Sequence, residues 1–223
     1  MSATHLHVVG CPRSGTTLMA EMLVACYPHE GHSEHEETIF KVPPQKSGLR
    51  LSKKPNDALW MAPLLDRDPN LYVIAMMRDP RSVICSMHKA WPGMYFCNYP
   101  VWKRAEKAIT EIQAHPRVMV LRYEDLVSRP DAVRRAVFAF LSLEDHDPQI
   151  ELRDGNRDYR VGQPAEEDAV RRMARWGYAP GGEVHDFAPR IAHPLRSVRD
   201  AVSAALEQEL QSEQKEQKAN IRQ

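Results

Sequence analysis

Gly10-Cys11-Pro12-Arg13-Ser14-Gly15-Thr16-Thr17 places two glycines around four residues, between a β-branched run at His5 to Val9 and an apolar-periodic stretch from Thr17 to Cys26. At a strand-to-helix junction this spacing turns backbone N–H groups and the positive end of a helix onto one point, where they hold an anion. A nucleoside triphosphate loop of this spacing carries Lys at the position of Thr16, and that lysine reaches the β- and γ-phosphates. Here the loop offers hydroxyls at Ser14, Thr16 and Thr17 and one cation at Arg13, a set suited to a shorter anion such as a single 5′-phosphate bearing a sulfonate. A lone GxxxxG is usually an ordinary βα turn. Eight residues of fitting types in this context favour the phosphate loop.

A second group follows the apolar run Leu71 to Met77: Arg78-Asp79-Pro80-Arg81-Ser82-Val83-Ile84-Cys85-Ser86-Met87. Ligands of open α/β sheets bind at the carboxyl ends of strands, which puts Arg78 beside the first loop. A guanidinium fork with a hydroxyl is what a dianionic phosphate requires. Singly, an arginine capping a carboxylate or a serine on a helix face is commonplace. Two phosphate-shaped sites on neighbouring strand ends suit a 3′,5′-bisphosphate.

The elements that must position these groups alternate along the chain. Strands are expected at His5 to Val9, Leu49 to Ser52, Leu71 to Met77 and Val118 to Arg122. Helices are expected at Thr17 to Cys26, Asn56 to Leu65, Pro80 to Lys89, Trp102 to Ala114, Asp131 to Leu141 and Glu166 to Trp176, with loops at Pro28 to Thr38 and Arg153 to Gly162. Leu71 to Met77 is apolar throughout, as a strand buried on both faces must be. Strand and helix in alternation imply right-handed crossovers and an α/β fold, a three-layer α/β/α sandwich around a mainly parallel central sheet. With 223 residues the chain suits one domain, assigned to 1–210, with a polar tail at 211–223 that frays.

Thirty basic residues against thirty acidic ones leave no global field for nucleic acid, so an anion must be held locally. No apolar run is long enough to span a membrane and no charged and apolar leader precedes His5, which points to the cytoplasm. Cys11, Cys26, Cys85 and Cys97 show no CxxC spacing and read as reduced thiols.

The stretch Cys11 to Met19, CPRSGTTLM, resembles the 5′-phosphosulfate loop of the sulfotransferases that use 3′-phosphoadenosine-5′-phosphosulfate (PAPS). Its Arg and paired Thr are most similar to the protein-tyrosine and bacterial members. The resemblance continues through Arg78 and Ser86, which match the pair holding the 3′-phosphate. It reaches Arg122-Tyr123-Glu124-Asp125-Leu126-Val127, where the residue matching Tyr123 contacts the nucleotide. It covers roughly Leu6 to Leu141 and implies a P-loop NTPase-like fold and a PAPS site made of Pro12, Arg13, Ser14, Gly15, Thr16, Thr17, Arg78, Ser86 and Tyr123.

It also implies catalytic roles. Sulfuryl transfer needs in-line geometry, a base for the acceptor hydroxyl and cations for developing charge. In Glu34-His35-Glu36-Glu37-Thr38 the carry-over of the family's glutamate base falls on Glu37, and in Lys53-Lys54-Pro55 the catalytic lysine falls on Lys53, with Lys54 as the alternative. Arg13 shares the sulfonate. No metal is then required. A Glu-rich loop is otherwise simply solvated, and either lysine a surface charge. His32, His35 and His88 are rival bases, ranked lower. Arg153, Arg157 and Arg160 are candidates for closing the nucleotide pocket and are left outside the site.

Ile39 stands where tyrosine sulfotransferases have a basic residue that grips an acidic peptide, so the resemblance does not extend to protein tyrosine as acceptor. Carbohydrate, lipid, phenol and peptide hydroxyls remain as acceptor classes, with self-association open. Trp91, Tyr95, Phe96, Tyr99 and Trp102 could line the acceptor pocket or serve as core or an oligomer contact. Two other readings stand beside this one. A kinase with a degenerate loop lacks the lysine and has Arg78 where a Mg-binding Asp belongs. A binding module would have kept the bisphosphate site and lost catalysis.

Overall fold

The apolar runs become one parallel sheet. The computed structural model describes residues 3–33, 35–44, 46–86, 94–143, 152–153, 164, 166–182 and 190–191. Its strands β1 (Thr4–Gly10), β2 (Gly31–His32), β3 (Leu49–Lys53), β4 (Leu71–Met77) and β5 (Val118–Arg122) lie in the order β2-β3-β1-β4-β5. Every pairing is parallel, with His7 opposite Ser52 on one side and opposite Val73 on the other.

Side chains of β1 and β4 alternate between two cores. Leu6, Val8, Ile74 and Met76 pack with α1 (Thr16–Cys26) on one face. On the other, Val9, Val73, Ala75 and Met77 pack with Met61 and Leu65 of α2 (Met61–Arg67). Two helical layers therefore cover the sheet, as the alternation of elements required.

Four boundaries depart from expectation. The helix expected at Asn56 to Leu65 opens as a 3-10 turn, Pro55–Trp60, and only then becomes α2. The helix expected at Pro80 to Lys89 is α3 (Pro80–Val83), and residues 87–89 lie outside the described set. The helix expected from Trp102 begins earlier, as α4 (Tyr99–Ile112), because the Asn98 side chain accepts from the Val101 N–H and Pro100 suits the first turn. The segment after β5, read as a strand-end signature, forms α5 (Tyr123–Ser128) before α6 (Pro130–Leu141). Two-residue strands β6 (Leu152–Arg153) and β7 (Arg190–Ile191) pair antiparallel. The tail at 211–223, with Arg157 and Arg160, lies outside the described residues, and Arg153 is described in backbone only.

α7 (Ala169–Arg175) is fastened to α4 by fully buried Glu106, which accepts from Arg172, Arg175 and the Trp176 indole. The chain after it returns to the end of β4, where the buried Arg81 donates to the Pro180 and Gly182 carbonyls. Among the described residues no helix is long and apolar enough to cross a membrane.

One partly buried group makes the fold sensitive to acid. Burial, then the neighbouring His7 and Arg50, lower the His5 pKa to about 3. The unfolded chain takes that proton near pH 6.5, whereas the folded protein refuses it until about pH 3. Stability contributed by neutral His5 is therefore present above the upper value and lost as pH falls through the window. We expect His5→Gln to flatten the decline in thermal stability on acidification, and an unchanged slope would absolve His5.

Candidate active site

The phosphate loop is shaped by its glycines and by Ser14. Gly10 sits at φ 155°, and a Cβ there would lie 2.5 Å from the Met76 carbonyl oxygen. Gly15, at φ 90°, caps α1, and a Cβ there would lie 2.4 Å from the Tyr123 ring. Only glycine lets the loop lie this close to β4 and to that ring. Between them Arg13 takes a left-handed φ of 74°. Ser14 donates to the Cys11 carbonyl from both its N–H, at 3.1 Å, and its hydroxyl, at 2.6 Å. Ser14 is thus a shaping residue whose buried hydroxyl is engaged, while Pro12 and Thr16 are also buried and Thr17 is exposed. α1 starts with neither a side-chain cap nor an acid in its first turn, so its leading N–H groups lack intrahelical acceptors.

Arg78 leaves the end of β4 nearly buried, at 5% exposure. Its guanidinium stacks 3.9 Å over the Tyr123 ring, and its Nη1 donates to the Arg13 carbonyl at 3.1 Å. Arg13 in turn donates from Nε to Ser86 Oγ at 2.8 Å. The two motifs read separately in the sequence are one hydrogen-bonded cluster. Burial lowers the pKa of both arginines, and the Arg13 charge lowers that of Arg78 further. A pair of partly dehydrated guanidinium groups at the mouth of an uncapped helix favours an anion with more than one negative charge.

The lysines separate cleanly. Lys53 Nζ, 11% exposed, donates to Thr17 Oγ1 at 3.2 Å and to Glu36 Oε1 at 3.1 Å. Lys54 Nζ meets the other oxygen of Glu36 at 3.4 Å. Lys53 is therefore the lysine against the phosphate loop. Glu37 is held by its N–H to the Lys53 carbonyl at 3.1 Å, but its carboxylate accepts from Ser33 and lies 4.0 Å from Arg50. The acid touching Lys53 is Glu36, which sequence reading passed over.

His32 pairs with His29 at 3.1 Å and His35 is exposed, and His88 lies outside the described residues. The aromatic segment divides: Tyr99 and Trp102 are core, the latter donating to the Arg78 carbonyl, while Tyr95 and Phe96 are half-exposed. Phe96 lies 6.0 Å from the Arg13 guanidinium and helps line a cavity of about 490 Å³ with Ile84, Tyr95, Tyr99 and Val101. Trp91 lies outside the described residues. All four cysteines are free, yet Cys11 and Cys97, 86 positions apart, bring their sulfurs within 3.4 Å. Among the described residues no group of three or more His, Cys, Asp or Glu side chains is placed to hold a metal ion.

A family model described as "Sulfotransferase family" matches residues 27–147, more than half of the 223. The chain belongs to the sulfotransferase family. That match begins after the loop at Gly10 to Thr17. A search of curated protein sequences finds no match.

Solved sulfotransferase structures share the fold. The sulfotransferase domain from the curacin biosynthetic pathway aligns over 83% of this chain and 99% of its own length, with 16% identity and a TM-score of 0.54. Mouse sulfotransferase SULT7A1 complexed with PAP aligns over 65% of this chain with 17% identity and a TM-score of 0.50. The aligned part spans 61% of the mouse enzyme's length. Membership of the sulfotransferase family leaves the kinase reading without support, in keeping with Thr16 and Arg78 at the two positions where a kinase loop needs other residues.

Proposed function

We propose that the chain transfers a sulfuryl group from PAPS to an acceptor hydroxyl. The observation that carries this reading is the cluster in which Arg13 bonds Ser86 and Arg78 bonds the Arg13 backbone, which joins two anion sites at adjacent strand ends. A 3′,5′-bisphosphate has that pair of charges on one nucleotide. Glycine at positions 10 and 15 also keeps the loop in register with the second site, since a side chain there would strike the Met76 carbonyl oxygen or the Tyr123 ring.

The loop from Pro12 to Thr17, with the α1 N-terminus, would hold the 5′-phosphosulfate, and Arg78 with Ser86 the 3′-phosphate, with Tyr123 contacting the nucleotide. The donor supplies the activated sulfur. Glu37 takes the proton of the acceptor hydroxyl as its oxygen bonds to that sulfur, and the bond from sulfur to the bridging oxygen breaks. Lys53 steadies the charge left on the bridging oxygen, and Arg13 that on the sulfonate. Side chains thus supply the positive charge for which phosphoryl transfer recruits magnesium. In the resting protein Glu36 is the counterion of Lys53, and donor binding would displace it. Glu36 is accordingly the rival base, favoured by its contact with Lys53.

Free thiols and the absence of a spanning helix among the described residues suit the cytoplasm, and the domain is taken as 1–210. The test of the donor site is a calorimetric titration with 3′,5′-bisphosphoadenosine, against ADP and against ATP with magnesium. Selective, magnesium-independent binding of the bisphosphate is expected. A preference for ATP with magnesium would sink the reading, and binding without turnover of any acceptor would leave a nucleotide-binding module.

A further inference from the structure

Behind the reacting segments runs a buried polar chain that sulfuryl transfer does not use. Ser52 Oγ is 2.6 Å from both His5 Nε2 and His7 Nδ1, and His7 Nε2 donates to Asp57 Oδ2 at 3.2 Å. Asp57 is 4% exposed. Its Oδ2 also accepts from the Ile39 N–H at 2.7 Å and from the Thr38 hydroxyl at 2.9 Å, with Oδ1 3.1 Å from the same hydroxyl. Its own N–H donates to the Lys54 carbonyl at 3.1 Å.

These partners belong to three separate segments. Thr38 and Ile39 follow Glu36 and Glu37 directly, Lys54 follows Lys53, and His7 lies on β1, which runs into the phosphate loop. We propose that Asp57 is the positioning residue of this active site: one buried carboxylate ties the acidic loop to the lysine turn and to the strand beneath the phosphate loop. The proposal rests on the reading that the acidic loop carries the base.

The chemistry explains why the residue is an acid. A buried carboxylate is costly unless several donors meet it. Here burial pushes the Asp57 pKa up, but hydrogen bonds from His7, the Ile39 amide and Thr38 outweigh that and hold it below the ordinary value. A carboxylate can accept from all three at once. An asparagine keeps one carbonyl oxygen for the donors that meet Oδ2 but loses the charge that strengthens all three bonds, and it sets an NH₂ at the Oδ1 position, where the Thr38 hydroxyl now donates. With Thr38 loosened, the carboxylates at 36 and 37 would wander relative to Lys53, and displacements of about 1 Å cost about 100-fold in rate.

The experiment compares wild type with Asp57→Asn in the full chain by three readouts. These are amide hydrogen exchange, calorimetric affinity for 3′,5′-bisphosphoadenosine, and sulfuryl transfer from labelled PAPS to a phenol, a sugar and a long-chain alcohol. Exchange should quicken at residues 36–42 and stay unchanged at 11–17. Bisphosphate affinity should hold within about threefold while kcat falls about 100-fold. Thr38→Val, a milder cut in the same clamp, should move the same readouts less, and the double variant should be no worse than Asp57→Asn alone. Unchanged exchange at 36–42, unchanged kcat, or equal losses in affinity and rate would each overturn the proposal. A wild-type protein that neither binds the bisphosphate nor turns over any acceptor would instead sink the functional reading, and the exchange comparison would still judge the clamp.

Discussion

Arg78→Ala should weaken binding of 3′,5′-bisphosphoadenosine by roughly two orders of magnitude, the order expected when one partner of a buried, charge-assisted hydrogen-bonded pair is removed. Two losses combine. The phosphate loses its fork, and the Arg13 carbonyl loses the Nη1 donor that helps fix the loop. Arg78→Lys restores the charge without the planar group that stacks on Tyr123, so it should recover only part of the affinity. Titration calorimetry on the three proteins measures this, with thermal unfolding alongside to subtract any cost to the fold. Affinity unchanged in the alanine variant would remove Arg78 from the site.

The second large effect concerns the proton. Glu37→Gln should leave bisphosphate affinity nearly intact and lower sulfuryl transfer by about 10²- to 10⁴-fold, the usual worth of a positioned general base. The carboxylate must turn from Ser33 and Arg50 to reach an acceptor. The backbone bond from Glu37 to Lys53 and the clamp at Thr38 hold it at the right place in the chain for that. Glu36→Gln should cost less, since it removes a counterion that the donor displaces anyway. Single-turnover rates with labelled PAPS decide between them: the larger loss in Glu36→Gln would move the base one residue back.

The parts of this molecule that could be read from the sequence are those governed by local rules. Leu71 to Met77 was legible as a strand because it is apolar at every position, and β5 because it is short and β-branched between turn residues. The turn at Gly10 to Gly15 was legible because two glycines at fixed spacing between an apolar strand and an apolar-periodic helix have few other structural uses. What escaped depends on where side chains go after the sheet forms. Glu36 and Glu37 are adjacent acids in one loop, and only the strand register settles which of them meets Lys53. Asp57 reads as an ordinary polar residue at the start of a helix. Its burial and its three donors come from β1 and the acidic loop, distant in sequence. The helix expected from Pro80 to Lys89 ends at Val83, and nothing in the residue types at 84–86 marks that stop.

The parallel sheet has a consequence for how the protein is made. β1 lies in the middle of the sheet, between β3 and β4, yet it leaves the ribosome before either. Each of its neighbours closes a loop of more than forty residues, Thr4 opposite Leu49 and His5 opposite Leu71, and no hairpin can form first to share the entropic cost. During synthesis one edge of β1 therefore waits for β3, complete at Lys53, and the other for β4, complete at Met77. The loop at Gly10 to Thr17 is translated before both strands that flank β1, so the sheet that shapes it closes only after β4 has emerged. Refolding slower than that of a hairpin-built sheet of the same size is the expected result of the strand order that sets Arg13 beside Arg78.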